Sequence, residues 1–335
     1  MIKSFIMPSC CKYLLLLPVI VGFSSCLNKE TAMPLPPVEP HKPGDVTTSA
    51  VAMNSDYKLQ IFYNLEDNTV VGSNDFTAWD LGFETSASGW HVVMNTARFM
   101  KVFKTTKTDL ASVTIADTTG IGAAVDAPSG SLDSTAFGDW RAGQVYIIDR
   151  GYSELGEAQG FVKVKVLSVD AAGYQVQWAN MGEASIRSIA VNKDDKYNLS
   201  FLSLSGAGKT LLVEPPKTDW DIVFTKYTHI YKELDNMLYS VVGCVLNRYK
   251  TTAGPYTAGK FNDINLEAAT ATQLHEAINT IGFDWKTYTG STYKVDTNKL
   301  FVIRNSGGLY FKLRFIGFLD KSGTKGNPAW QYQRL

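Results

Sequence analysis

Apolar and polar residues alternate with a period of two in the clearest segments of the chain. From Phe161 to Val166 and from Tyr310 to Phe315, apolar residues alternate with basic ones, which is the pattern of a half-buried β-strand. The basic residues of these runs are predicted to face solvent, namely Lys163, Lys165, Lys312 and Arg314. Turn-forming clusters of Gly, Asn, Asp and Ser separate such runs, so the pattern predicts a mainly β fold of antiparallel sheets with few short helices.

The strand motifs occur twice in the same order. Trp79-Asp80 and Trp220-Asp221 each precede an apolar strand, and these two tryptophans are 141 residues apart. Trp140 and Trp285 follow later in each copy and are 145 residues apart. A period of about 140 residues predicts two tandem antiparallel β-sheet domains, which we assign to residues 53–190 and 191–335.

Two long inserts interrupt the strand pattern at the same position of each copy, at residues 105–137 and 251–281. Long inserts at one topological position commonly carry function. The second insert contains Ala268 to Asn279, whose composition predicts a short helix that includes His275.

The N-terminal segment has the features of a bacterial lipoprotein signal. Lys3 and Lys12 precede an apolar run that ends in Ser24-Ser25-Cys26, which predicts a signal peptide over residues 1–25 and lipidation of Cys26. An ordinary cleaved signal with an incidental cysteine is the alternative. Residues 26–52 are rich in proline and form the predicted tether, so we expect a protein that is lipid-anchored in a bacterial envelope.

Charge and cysteine content exclude several classes of function. Without residues 1–25 the chain has 30 basic and 32 acidic side chains, which leaves no basic surface for nucleic acid. Cys244 lies in an apolar run and is predicted to be a buried structural thiol. No His or Cys pair has metal-ligand spacing, and Gly206 to Thr210 lacks the helix that a phosphate-binding loop requires. We therefore predict no catalytic residues, no metal site and no enzyme activity.

The repeated motifs resemble those of the HmuY family, haem-binding lipoproteins of the Bacteroidetes. The resemblance rests on the two Trp-Asp motifs and on the run from Trp285 through Thr292-Tyr293-Lys294 to Lys299 and Lys312, and it covers most of residues 55–335. It implies an almost all-β fold and a surface-exposed outer-membrane lipoprotein that captures haem and delivers it to a TonB-dependent receptor. The founding member has a histidine ligand a few residues after the tryptophan that matches Trp285, but here residues 286–290 contain neither His nor Met.

The haem ligands are therefore sought elsewhere in the chain. His275 is the first candidate because it lies in the second insert. Two further pairs can supply an imidazole and a thioether to iron, and simple packing or surface exposure remains open for both: His229 with Met237, and His91 with Met94. The competing hypothesis is a surface scaffold that has lost haem binding and instead contacts a partner protein or glycan.

Overall fold

The computed structural model describes residues 43–335, and within them the chain is mainly β with one short α-helix. The predicted fold class is confirmed. In the first part of the chain the strands are β1 Thr47–Ala50, β2 Leu59–Asn64, β3 Thr69–Asp75, β4 Leu81–Glu84, β5 Val92–Met94, β6 Lys101–Lys104, β7 Tyr146–Asp149, β8 Phe161–Val169, β9 Gly173–Asn180 and β10 Arg187–Asn192. They are followed by β11 Leu199–Ser203, β12 Lys209–Leu211, β13 Ile222–Tyr231, β14 Met237–Leu246, β15 Thr252–Tyr256, α1 Leu266–Ala271, β16 Lys286–Tyr288, β17 Tyr293–Val295, β18 Leu300–Arg304, β19 Tyr310–Leu319 and β20 Lys325–Arg334.

These strands form four larger antiparallel sheets and one two-stranded hairpin. Two sheets have five strands, in the orders β1-β20-β19-β18-β15 and β10-β9-β8-β7-β6. Two have four strands, in the orders β12-β11-β4-β5 and β14-β13-β2-β3. The two five-stranded sheets are equivalent under the sequence repeat, and so are the two four-stranded sheets. Replacing each strand of one sheet by the strand at the same place in the other repeat reproduces the strand order of the second sheet.

Each sheet contains strands from both sequence repeats. β1 pairs with β20, and β2 pairs with β13. In the matching sheets β10 pairs with β9, and β11 pairs with β4. The first three strands of each repeat are therefore exchanged with the other repeat, and β10, Arg187–Asn192, runs across the boundary assigned at residue 190. β1 itself is formed by residues at the end of the segment assigned to the tether.

The Trp-Asp motifs hold the exchanged strands. The backbone N–H of Asp80 donates to the carbonyl of Leu202 at 2.9 Å, and its carboxylate accepts the N–H of Leu204 at 2.6 Å. Asp221 makes the equivalent bonds, with its N–H on Tyr63 O at 2.9 Å and its carboxylate on Leu65 N at 2.8 Å. The repeated motif thus satisfies backbone groups at the C-terminal end of a strand from the other copy.

The inserts cover sheet faces that the alternation predicts to be solvated. Lys163 and Lys312 are each only 4% exposed, so the prediction that they face solvent is wrong. The Lys163 ammonium donates to Val113 O at 3.2 Å, and that of Lys312 donates to Ile264 O at 3.0 Å. Period-two alternation identifies the two faces of a strand but not the segment that packs over one of them, and here that segment comes from the inserts.

Aromatic side chains fill the interior of both halves. Trp285 stacks on Phe315 with ring centroids 3.9 Å apart, and Trp178 and Trp330 are fully buried. Cys244 is a free, buried thiol, as predicted. Burial raises the pKa of this thiol well above its ordinary range, so its chemistry is that of an inert core residue.

Candidate functional site

One face of the β13-β14 hairpin presents a cluster of aromatic side chains together with a histidine and a methionine. His229 lies opposite Tyr239, and Tyr231 lies opposite Met237. Directly opposed residues of an antiparallel pair share a face, as do residues two apart on one strand. All four side chains therefore project from the same side of the hairpin, near its tip.

Phe283 closes this cluster from the segment that precedes β16. The His229 ring lies 4.9 Å from the Phe283 ring and 4.7 Å from the Tyr231 ring, edge-to-face in both cases. Met237 is 43% exposed and Tyr239 is 53% exposed. We name His229, Tyr231, Met237, Tyr239 and Phe283 the hairpin face; it is a partly open apolar surface that carries one imidazole and one thioether, both of which can ligate a metal.

The electrostatics of His229 keep its imidazole neutral. Burial lowers the pKa of His229 below its ordinary value, although the Glu233 and Asp284 carboxylates act in the opposite direction. A neutral imidazole is the form that binds a metal. Its Nδ1 is buried and has no hydrogen-bond partner among residues 43–335. Rotation of the His229 ring by 180° exchanges Nδ1 with Cδ2. A carbon atom, which needs no hydrogen bond, would then occupy the buried position.

The segment after Trp285 provides no competing ligand. Lys286 is buried, and its ammonium donates to the carbonyl of Val242 and lies 4.3 Å from the Trp285 ring centroid. Burial lowers the pKa of Lys286 to about 7. The fold brings His229 against Phe283, two residues before Trp285.

His91 and Met94 are not brought together by the fold. Met94 is 2% exposed and packs in the hydrophobic core, whereas His91 lies outside β5 with Nδ1 2.6 Å from Glu84 Oε2. The His91 ring stacks on Trp90 at 4.1 Å. Burial alone would raise the pKa of Glu84, but hydrogen bonds from Ser86 and His91 outweigh it and hold that pKa below its ordinary value.

His275 occupies an exposed position and has no aromatic ring partner within residues 43–335. Its backbone forms an isolated β-bridge with Ala253, with N–H to O distances of 2.7 and 3.1 Å. The predicted helix over residues 268–279 is therefore wrong over residues 272–279. α1 ends at Ala271, because the chain extends from Thr272 to pair with β15.

Tyr231, Tyr239 and Phe283 were not identified from the sequence as site residues. The available signal was the alternation of Tyr227, His229 and Tyr231 on one strand face. Their connection to Phe283 is a long-range contact that local patterning does not encode. Cys26 lies outside the described residues, so its lipidation stays a prediction.

Residues 43–335 contain no group of three or more His, Cys, Asp or Glu side chains arranged to hold a metal ion. No helix within the same residues is long and apolar enough to cross a membrane. A haem iron needs only one or two protein ligands together with apolar walls, and the hairpin face offers that donor set.

The antiparallel sheets and the hairpin face define a mainly β protein with a partly open aromatic surface. The family model described as HmuY protein matches residues 56–332. The chain belongs to the HmuY family.

Several solved structures are similar to this chain. Apo PinO from Porphyromonas gingivitis is 10% identical, the alignment covers 87% of this chain and 97% of PinO, and the TM-score is 0.25. The apo HmuY analogue TFO from Tannerella forsythia is also 10% identical, with 88% and 98% of the two chains covered and a TM-score of 0.24. No curated protein sequence matches this chain.

Proposed function

We propose that this protein captures haem on the hairpin face, with the imidazole of His229 as an iron ligand and the thioether of Met237 as the second ligand. The observation that carries the proposal is that these two side chains share one partly open face with three aromatic rings. Membership of the HmuY family supports haem as the ligand class.

The chemistry of the hairpin face matches the chemistry of a porphyrin. A porphyrin is flat and apolar, and aromatic side chains provide wide contact surfaces for such a ring. His229 and Met237 are diagonal neighbours across the two strands, and diagonal positions lie roughly 7–8 Å apart. The side chains of His229 and Met237 can therefore lie on opposite faces of a porphyrin that enters the hairpin face by its edge.

The cellular setting that we propose follows from the predicted lipid anchor. Cys26 would hold the protein at the outer membrane, with the binding domain on the cell surface. Haem captured there would pass to a TonB-dependent receptor. We propose a role in binding and delivery, and no catalytic step.

A surface scaffold is the second candidate function, and one observation favours it. Metal-ligating histidines usually donate their second ring N–H to a carboxylate or carbonyl, but the buried Nδ1 of His229 has no such partner. If the hairpin face does not bind haem, its exposed Tyr239 and Met237 would be a contact surface for a partner protein or glycan.

Substitution of His229 tests the proposal. We expect His229→Ala to abolish the low-spin haem spectrum and to weaken haem binding by at least about 100-fold, since an iron ligand is lost. The visible spectrum is recorded during a haem titration in the oxidised and reduced states. Met237→Leu, which keeps the apolar contact, should leave a five-coordinate, high-spin ferrous spectrum.

His91→Ala and His275→Ala are the matched controls. Each removes an imidazole from a surface that lacks the aromatic cluster, so each should leave the spectrum and affinity of the unmodified protein. An unchanged spectrum in His229→Ala would reject His229 as a ligand, and a lost spectrum in either control would move the site to that histidine.

The pH dependence of binding provides a further prediction. The pKa of His229 is lowered by burial, so its imidazole stays neutral below the ordinary histidine pKa of about 6.5. Haem affinity should therefore be constant from pH 8 down to about 6.5 and should decrease only at lower pH, where protonation competes with iron. A midpoint above pH 7 in the affinity profile would contradict a buried ligand of this kind.

A further inference from the structure

Arg248 places a guanidinium group in the wall of a cavity that lies apart from the hairpin face. The cavity has a volume of about 150 Å³, the size of an engineered cavity that holds one benzene molecule. None of the five residues of the hairpin face lines it. Aromatic side chains from both sequence repeats line it instead, namely Phe62, Trp79, Phe201, Trp220 and Tyr227.

Most of the hydrogen-bond donors of Arg248 are unused. Arg248 follows β14, and its Nη1 donates to the carbonyl oxygen of Gly130, which belongs to the first insert and also lines the cavity. This is the only hydrogen bond of the Arg248 side chain within residues 43–335, and the side chain forms no ion pair with a carboxylate of those residues. A guanidinium has five N–H donors, so a ligand can still bind to this group.

The unused donors are not sealed inside the protein. Arg248 is half-buried, and none of its nitrogens belongs to the buried polar atoms that lack a partner, in contrast to Nε of Arg98 and the indole nitrogen of Trp220. Its unpaired N–H groups therefore have accessible surface. Burial lowers the pKa of Arg248, and a poorly solvated charge gains most from a direct ionic partner.

The other charged groups of the wall are already paired or point away. Asp126 accepts two backbone N–H bonds at 2.6 and 2.7 Å, and Glu214 accepts two at 2.7 and 2.9 Å. Their charges oppose a bound anion, but burial raises the pKa of both carboxyl groups, that of Asp126 to about 6. Lys226 precedes Tyr227 on β13, so its side chain projects from the opposite side of that strand. Arg248 is therefore the group in the wall that is best placed to receive an anion.

We propose that this cavity binds a small carboxylate with one aromatic or branched apolar group, and that its two oxygens accept parallel N–H bonds from Arg248. A planar guanidinium matches a planar carboxylate in this way. The apolar group of the ligand would contact the aromatic side chains of the wall, which exclude water from it. The site is separate from the hairpin face, and neither proposal depends on the other.

Benzoate, benzamide and benzamidine test the proposal, because these molecules have nearly the same planar shape and are anionic, neutral and cationic in that order. The full chain is titrated with each probe by isothermal calorimetry near pH 6, where the carboxyl of Asp126 is partly protonated. We expect saturable binding of benzoate, at least about tenfold tighter than that of benzamide, because bonds to a charged acceptor are stronger. Benzamidine should bind most weakly. No binding of benzoate, equal binding of benzoate and benzamide, or tightest binding of benzamidine would overturn the proposal.

Substitution of Arg248 locates the bound carboxylate. Arg248→Lys keeps the charge and a donor for Gly130, but it should weaken benzoate binding by about fivefold, because an ammonium group lacks the planar fork. Arg248→Gln should bind benzoate no more tightly than benzamide.

Arg187→Gln is the matched control, because Arg187 pairs with Glu183 and does not line the cavity. It should keep the preference of the unmodified chain for benzoate. An unchanged preference in both Arg248 variants would overturn the proposal. If Arg248→Gln fails to fold, Arg248→Lys and the order of the three probes on the unmodified chain decide the outcome.

Discussion

Asp80→Asn should lower the free energy of unfolding by about 3–5 kcal/mol, because it removes the carboxylate that pairs with two buried guanidinium groups. Asp80 is fully buried, and its Oδ1 lies 2.7 Å from Arg98 Nη1 and 3.0 Å from Arg150 Nε. Arg98 is 2% exposed, so water cannot replace the lost partner. The measurement is urea unfolding of the full chain at pH 7.

The repeat provides a matched control at the equivalent position. Asp221 also holds an exchanged strand, through Leu65, but it has no ion pair among the described residues. Asp221→Asn keeps an oxygen acceptor for Leu65 N–H and removes a buried negative charge, so we expect no loss of stability at pH 7. Equal losses in the two variants would contradict the assignment of Asp80 as the counter-ion of both arginines.

Asp221→Asn should also change the pH dependence of stability. Burial raises the pKa of Asp221 to about 6, whereas an unfolded aspartate ionises near 3.9. Between these values the folded chain keeps a proton that the unfolded chain has released, so this residue's contribution to stability falls as the pH rises from about 4 to 6. The variant should lack that decrease, which is about 3 kcal/mol; an identical pH profile in the variant would contradict it.

Gly151→Ala should have the second large effect, a loss of about 3–5 kcal/mol in the free energy of unfolding. Gly151 has a φ of +66°, and a Cβ added there would lie 1.9 Å from the carbonyl oxygen of Arg98. The same oxygen accepts the N–H of Tyr152 at 2.9 Å. The added methyl group would therefore displace the backbone of a residue whose guanidinium pairs with Asp80.

Gly156→Ala separates the steric effect from the effect of the backbone conformation. Gly156 has a φ of +80°, but a Cβ at this position would have no neighbour within 4 Å. Its substitution should therefore cost only about 1–2 kcal/mol for the left-handed conformation. Similar losses for the two glycines, measured by urea unfolding, would contradict close contact between Gly151 and Arg98.

The strands and the sequence repeat could be predicted because both depend on local patterns. Trp79 and Trp220 each precede a strand, β4 and β13, and Cys244 lies in a buried run. The exchange of strands between repeats could not be predicted, since β2 can satisfy the same alternation beside β4 or beside β13. Which partner it takes is decided by long-range contacts such as those of Asp80 and Asp221.

The site was only partly predictable for the same reason. His229 and Met237 are eight positions apart in the sequence, and the hairpin places them on one face. His91 and Met94 are closer in sequence, but Met94 packs in the core and His91 does not. Lys163 shows the corresponding limit for charged residues, because its carbonyl partner belongs to an insert 50 residues away.

The most direct test of the proposed function is a haem titration of the unmodified protein, followed through the visible spectrum in the oxidised and reduced states. Capture on the hairpin face predicts a saturable, sharp Soret band that reaches its end point at one haem per chain. A weak change that does not saturate would contradict haem capture and would favour the scaffold function for the same surface.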